Sequence, residues 1–165
     1  VWGDGQARIL PEEGEATVLK ENFNQFLFMV AEIAEKKDIV FCLEPLGPKK
    51  TNFLNSLEEV ASVLGSVGKK NLAITIASSD IVETNIRIED FVHYRDLIAH
   101  AYLDSLEEVG GSSRREAVSP QALSMPNDIL FLSILKKISY DGVITLPNDA
   151  DCEALISYKE AWNKL

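Results

Sequence analysis

The chain reads as an α/β protein: a parallel sheet with helices packed against it. Three observations predict this. The strand candidates are short, continuous apolar runs rather than alternating ones, as expected for strands covered on both faces. Helical segments stand between them, and parallel neighbours require such crossover connections. The 165 residues, 46% of them hydrophobic, suffice for one ordinary domain with a core, so residues 1–165 are read as a single domain.

The elements follow in order. Val18, Leu19, Phe23, Phe26, Leu27, Val30, Ile33 and Ala34 recur at helical spacing, with acids and lysines between them, which predicts a helix over Thr17–Lys37. Ile39–Leu43 is a strand. Asn55 or Ser56 caps the next helix, which runs through Leu64, because Ser56-Leu57-Glu58-Glu59 sets a carboxylate three residues after the cap. Gly65 and Gly68 are read as ending it. Leu72–Ile76 is a strand, Ile88–Leu97 a helix and Ile98–Leu103 a strand. Ser105–Pro126, with Gly110-Gly111-Ser112-Ser113 and two prolines, is a long loop. A helix over Asp128–Ile138 with Asn127 near its cap, a strand at Val143–Leu146 and an amphipathic helix over Asp151–Asn163 complete the pattern. Phe23, Phe26, Phe28, Phe91, Phe131 and Trp162 lie on helices, and most are read as packing against the sheet rather than as a cofactor box. About four or five βα units are visible, against eight in a complete barrel, so periodicity leaves open a doubly wound sheet or part of a (β/α)8 barrel.

Composition narrows the function. A net charge of -10 disfavours nucleic-acid binding, which needs a basic face to neutralise phosphates. No apolar run approaches the roughly 20 residues of a bilayer span, and no signal-peptide pattern opens the chain. Cys42 and Cys152 form no CxxC pair and read as reduced packing residues of a cytoplasmic protein. The start at Val1, inside what looks like a strand-to-loop transition, suggests a fragment whose upstream sequence is missing.

Val40-Phe41-Cys42-Leu43-Glu44-Pro45-Leu46 is a buried-strand run that ends in a carboxylate and is stopped by proline. Strand C-termini form the functional rim of parallel α/β folds, so Glu44 is the first candidate for chemistry. Its bland alternative is a rim carboxylate held by a cation. His100, inside an apolar strand, reads as a ligand or as a hydrogen-bonded core residue, and His93 as a surface or packing residue. Arg114-Arg115 and Lys49-Lys50 suit an anion, or merely solvate their loops. Gly3-Asp4-Gly5 lacks the third glycine and the following helix of a dinucleotide loop.

Five segments, in order, resemble the C-terminal part of the xylose isomerase-like TIM-barrel family, in its sugar phosphate isomerase/epimerase branch. Val1-Trp2-Gly3-Asp4-Gly5 through Arg8 and Pro11 is similar to the end of that family's fourth strand. Leu43-Glu44-Pro45-Leu46 resembles its fifth, and Thr51-Asn52-Phe53-Leu54-Asn55-Ser56 with Glu58-Glu59-Val60 the loop and helix after it. Ile98-Ala99-His100-Ala101-Tyr102-Leu103-Asp104 resembles the seventh strand and Tyr140-Asp141-Gly142-Val143 the opening of the eighth. The resemblance implies a (β/α)8 TIM barrel of which only about strands 4 to 8 are present. An upstream half or a second copy would then complete it and cover the open sheet edge.

The resemblance further implies a sugar or sugar-phosphate isomerase or epimerase. In such relatives a divalent metal (Mn, Mg, Co or Zn) is held by two Glu, one Asp and one His, and the two Glu move the proton on the carbon beside the carbonyl. Glu44 matches the first Glu, as catalytic residue and metal ligand. The Asp-x-x-His of strand six falls on Ala77-Ser78-Ser79-Asp80, the metal-binding His on Tyr102, and the second Glu on Pro147. Three of the four ligands are therefore unmatched, unless Asp80 or Asp149 rebuilds part of the site. Arg8, His100, Arg114 and Arg115 are the implied substrate-binding residues. The alternative reading is a catalytically inactive barrel that serves as a binding or structural protein. A DNA-repair endonuclease on the same fold would need a histidine-rich zinc cluster, which two histidines do not supply.

Overall fold

The structure is a computed structural model, which describes residues 8–11, 15–79, 81, 86–104, 126–146, 150 and 152–165. Its elements are α1 (Ala16–Glu35), β1 (Phe41–Leu43), α2 (Leu57–Val67), β2 (Leu72–Ala77), α3 (Ile88–Tyr94), a 3₁₀ turn (Arg95–Leu97), β3 (Ile98–Tyr102), α4 (Pro126–Lys137), β4 (Val143–Thr145) and α5 (Cys152–Lys164). The expected fourth barrel strand and the Ser105–Pro126 loop, apart from Pro126 itself, lie outside the described residues, as do Asp80, Pro147 and Asp149.

All four strands are parallel and lie in chain order, β1-β2-β3-β4. A doubly wound sheet reverses its order at a switch point, whereas a barrel adds each strand on the same side of the last. The order among the described strands is the barrel's. Pairing between β2 and β3 runs from Ile74 with Ile98 to Thr75 with His100, passing over Ala99. This irregularity sets Thr75 directly beside His100.

One face of the sheet carries Leu43, Ile74, Ile76, Ala101 and Leu103, buried with Val60, Leu64, Phe91, Phe131 and Leu135 from the helices. The helices form where expected, with instructive differences. Ser56 caps α2 by accepting from the Glu59 amide at 3.1 Å. The Glu59 carboxylate reaches one residue further back than a standard capping box and accepts from the Asn55 amide at 2.7 Å. Gly65 lies inside α2; Gly68 alone ends it, at φ 69°, a left-handed conformation that glycine adopts without strain. Pro126 opens α4 rather than closing the loop before it, since a first-turn position needs no amide hydrogen. Asp128, fully buried in that first turn, accepts from Tyr158 on α5 at 3.0 Å.

The packing expectation for the aromatics holds for Phe23, Phe91 and Phe131, which are buried. Phe26 and Phe28 are exposed instead, with Val18, Met29 and Ile33 of the same helix. Helix α1 is thus apolar on two faces, of which the one bearing Phe23, Leu27, Ala31 and Ala34 is buried here. Cys42 is half-buried, with burial raising its thiol pKa, but Cys152 is exposed and is no packing residue.

Two outcomes follow. Ser56→Ala should lower stability by about 1 kcal/mol in urea unfolding, by orphaning an amide at the start of α2. Tyr140, whose hydroxyl donates to the Val143 carbonyl at 2.9 Å, has its pKa pushed up to about 12 by burial and by neighbouring Cys42 and Asp141. A folded-state pKa above the unfolded one favours the protonated phenol. This contribution should therefore be intact below about pH 10 and fade as pH rises towards 12, and Tyr140→Phe should flatten that alkaline loss in melting curves.

Candidate functional site

The candidate site is assembled where the strands end. Pro45 stops β1 directly after Glu44, which leaves its carboxylate at the strand terminus yet buried, at 6% exposure. A buried carboxylate needs a donor, and Tyr102 at the end of β3 supplies one: its hydroxyl donates to Glu44 Oε1. Arg8 is also buried, and its Nη1 donates to the Glu44 main-chain carbonyl at 2.6 Å.

The loop after β1 fixes this arrangement with short polar side chains. Thr51 Oγ1 donates to the Arg8 carbonyl at 2.9 Å. The Asn52 amide group pairs with the backbone of Leu10 in both directions, accepting at 2.7 Å and donating at 2.8 Å. Asn55 Nδ2 donates to the carbonyls of Leu46 and Thr51, closing the loop on itself. Each side chain replaces a backbone partner that an irregular segment lacks. The Thr51–Ser56 stretch therefore holds the Arg8 segment against Glu44.

Below Tyr102, His100 lies between two threonines. Its Nδ1 is 2.7 Å from Thr75 Oγ1 on β2, and its Nε2 is 2.8 Å from Thr145 Oγ1 on β4. A neutral imidazole donates through one nitrogen and accepts through the other, so the row ties three strands together. The His100 ring also stacks on Tyr102, with centroids 6.0 Å apart and planes 25° from parallel. His93, by contrast, sits on the exposed side of α3, edge-on to Tyr94.

Sequence reasoning singled out neither Ser78, Ser79 nor Asp104 as a site residue. Asp104 Oδ1 accepts from Ser78 Oγ at 3.0 Å and from the Ser79 amide at 2.9 Å, and its Oδ2 accepts from Ser79 Oγ at 2.7 Å. The Asp104 amide in turn donates to Ser78 Oγ at 3.1 Å. Adjacent serines at a strand end, opposite an acid two residues beyond Tyr102, are the signal that could have pointed to this clamp.

The structure thus brings Glu44 and Arg8 together, with Tyr102 bridging to His100. Arg114 and Arg115 lie outside the described residues. No group of three or more His, Cys, Asp or Glu side chains that could hold a metal ion occurs among the described residues. Glu44 is engaged by a phenol and Asp104 by the serines, so the described donors do not fit the four-ligand divalent site that the resemblance implies.

The serine clamp is testable. Asp104→Ala leaves two hydroxyls and an amide without their acceptor and should cost about 1–3 kcal/mol in chemical denaturation. Ser79→Ala, which removes one hydroxyl, should cost less.

A family model described as a xylose isomerase-like TIM barrel matches residues 4–160. No curated protein matches the chain. Among solved structures, 3-keto-D-glucoside 4-epimerase from E. coli is 16% identical, with a TM-score of 0.58 over 88% of this chain and 52% of that one. D-Psicose 3-epimerase from Clostridium cellulolyticum H10, solved with D-tagatose, is 18% identical, with a TM-score of 0.60 over 88% and 54%. The probable 3-DHS dehydratase of petrobactin synthesis from Bacillus anthracis is 17% identical, with a TM-score of 0.59 over 84% and 54%. The chain spans about half the length of these proteins, and at such identities the likeness is one of fold. With parallel strands in barrel order and a family match over nearly its whole length, the chain belongs to the xylose isomerase-like TIM-barrel family.

Proposed function

We propose that this chain is the C-terminal part of a sugar or sugar-phosphate isomerase/epimerase-like barrel whose metal site is degenerate. The carrying observation is Glu44: a carboxylate buried at a strand terminus, on the rim where such barrels do their work, with a phenol donating to it. In this reading Glu44 accepts from a sugar hydroxyl and is the base available to a carbon beside a carbonyl. Arg8 positions Glu44 through its main-chain carbonyl, His100 supports the floor beneath Tyr102, and Arg114 or Arg115 meets a phosphate from the loop after β3.

Neighbouring folds that act on sugars, such as the psicose epimerase solved with D-tagatose, support the substrate class. The residues at the expected ligand positions, Ala77, Tyr102 and Pro147, support the degenerate site, and they equally support the second reading, a catalytically inactive barrel that binds without turnover. Residues 1–165 form one unit of this barrel, completed by an upstream half or a second copy. No helix among the described residues is long and apolar enough to cross a membrane, and two free cysteines suit a cytoplasmic protein of carbohydrate metabolism.

A melting-temperature panel of ketoses and ketose phosphates tests the reading. A ligand at a hundred times its Kd should stabilise the protein by about 2.7 kcal/mol, and Glu44→Ala should abolish that shift. Incubating the same ligands in D₂O separates the two readings. Deuterium entering the carbon beside the carbonyl marks an isomerase or epimerase, and binding without exchange marks the inactive barrel.

A further inference from the structure

Glu44 is buried at its rim, so a ligand reaches its carboxylate only after something beside it moves. Tyr102 is fixed in β3 and stacked on His100. The segment Arg8–Leu10 is held differently, by two neighbouring side chains. Thr51 Oγ1 donates to the Arg8 carbonyl at 2.9 Å, and Asn52 takes both backbone groups of Leu10, at 2.7 and 2.8 Å. Ile9, between them, is 59% exposed. The loop that carries Thr51 and Asn52 is anchored. Its Leu54 is fully buried at φ 61°, a left-handed conformation that a bulky residue keeps only where its surroundings enforce it. The Leu54 carbonyl accepts from the Leu46 amide at 3.0 Å, and Ser56 at the loop's end caps α2. Between an anchored loop and a segment tied on by side chains, the segment is the part that gives way. Its buried side chain, Arg8, is a cation, which regains hydration on leaving, where an apolar anchor would lose burial.

We propose that Arg8–Leu10 is a strap that seals Glu44, and that parting of its Thr51 and Asn52 hydrogen bonds opens the site. Opening withdraws the Arg8 guanidinium from the Glu44 main-chain carbonyl, to which its Nη1 donates at 2.6 Å, and makes the buried carboxylate accessible. Thr51 and Asn52 then set the fraction of molecules that can take a ligand, and apparent affinity scales with that fraction. That the ligand is a sugar rests on the reading above; the strap rests on its own hydrogen bonds.

The test needs no sugar. The protein is treated with a water-soluble carbodiimide and glycine ethyl ester, and the amide formed at each carboxyl group is followed by mass spectrometry. Glu58, exposed on α2, reports the activity of the reagent, and Asp128, fully buried on α4, reports global unfolding. Thr51→Val keeps the side chain's shape and deletes its hydroxyl, and Asn52→Ala deletes both bonds to Leu10. Glu44 should label slowly in the wild type and about tenfold faster in each variant, with Asp128 unchanged. In Thr51→Val the Leu10 amide, whose own bond to Asn52 is intact, should also exchange hydrogen about tenfold faster, because the strap opens as one piece. The proposal is overturned if Glu44 labels as fast as Glu58 in the wild type, or at the wild-type rate in both variants. Glu44 and Asp128 speeding up together also overturns it, since that is global unfolding. If the rates behave as stated but no ketose binds, the sugar reading falls and the strap stands.

Discussion

Burying a carboxylate at the end of a parallel strand is the constraint around which this structure is arranged. An ionised Glu44 taken from water into a rim formed by apolar strands costs several kcal/mol unless donors replace the lost solvent. Tyr102 is two strands away in the sheet, yet its side chain is long enough to span β2 and deliver that donor. The span works because β2 presents Ala77, a small residue, opposite Tyr102 in the pairing. A larger residue there would stand between phenol and carboxylate. The small side chain of Ala77 and the long reach of Tyr102 are therefore sterically coupled.

The remaining polar groups follow the same economy. Thr51, Asn52, Asn55, Ser56, Ser78 and Ser79 are short side chains that bond to nearby backbone or to one carboxylate at small entropic cost. Among the cationic side chains, the Arg8 guanidinium is spent at least in part on a main-chain carbonyl. Such a rim is cross-braced by hydrogen bonds where β1 and β3 end, and a supporting shell of this kind is what keeps a binding group in place.

Much of this fold was legible because its signals are local. The capping residues Ser56 and Glu59 announce α2, and apolar runs such as Leu72 to Ile76 announce parallel strands. The place of Glu44 was legible for a related reason: a strand run, an acid and a proline in sequence set the side chain at a strand end, but its burial was not legible. What escaped reading depends on partners distant in the chain. That Tyr102 donates to Glu44 across 58 positions, or that Asp104 is clamped from Ser78 and Ser79, leaves no periodic trace. Gly65 misled for the opposite reason, since a glycine can sit within a helix at a cost of about 1 kcal/mol, and only the left-handed φ of Gly68 marks the true end.

Helix α1 shows how sequence periodicity records surroundings that half a barrel does not supply. Its apolar positions include a buried set at Phe23, Leu27, Ala31 and Ala34 and an exposed set at Val18, Phe26, Met29 and Ile33. Leaving several large apolar side chains in water forgoes about 25 cal/mol for every Å² that burial would remove. In a closed barrel each outer helix touches a helix on either side and no strand is an edge. Within the described residues, β1 and β4 are both edges, and α1 stands beside β1 with α2 on one side only. The second apolar face of α1 is left uncovered among the described residues.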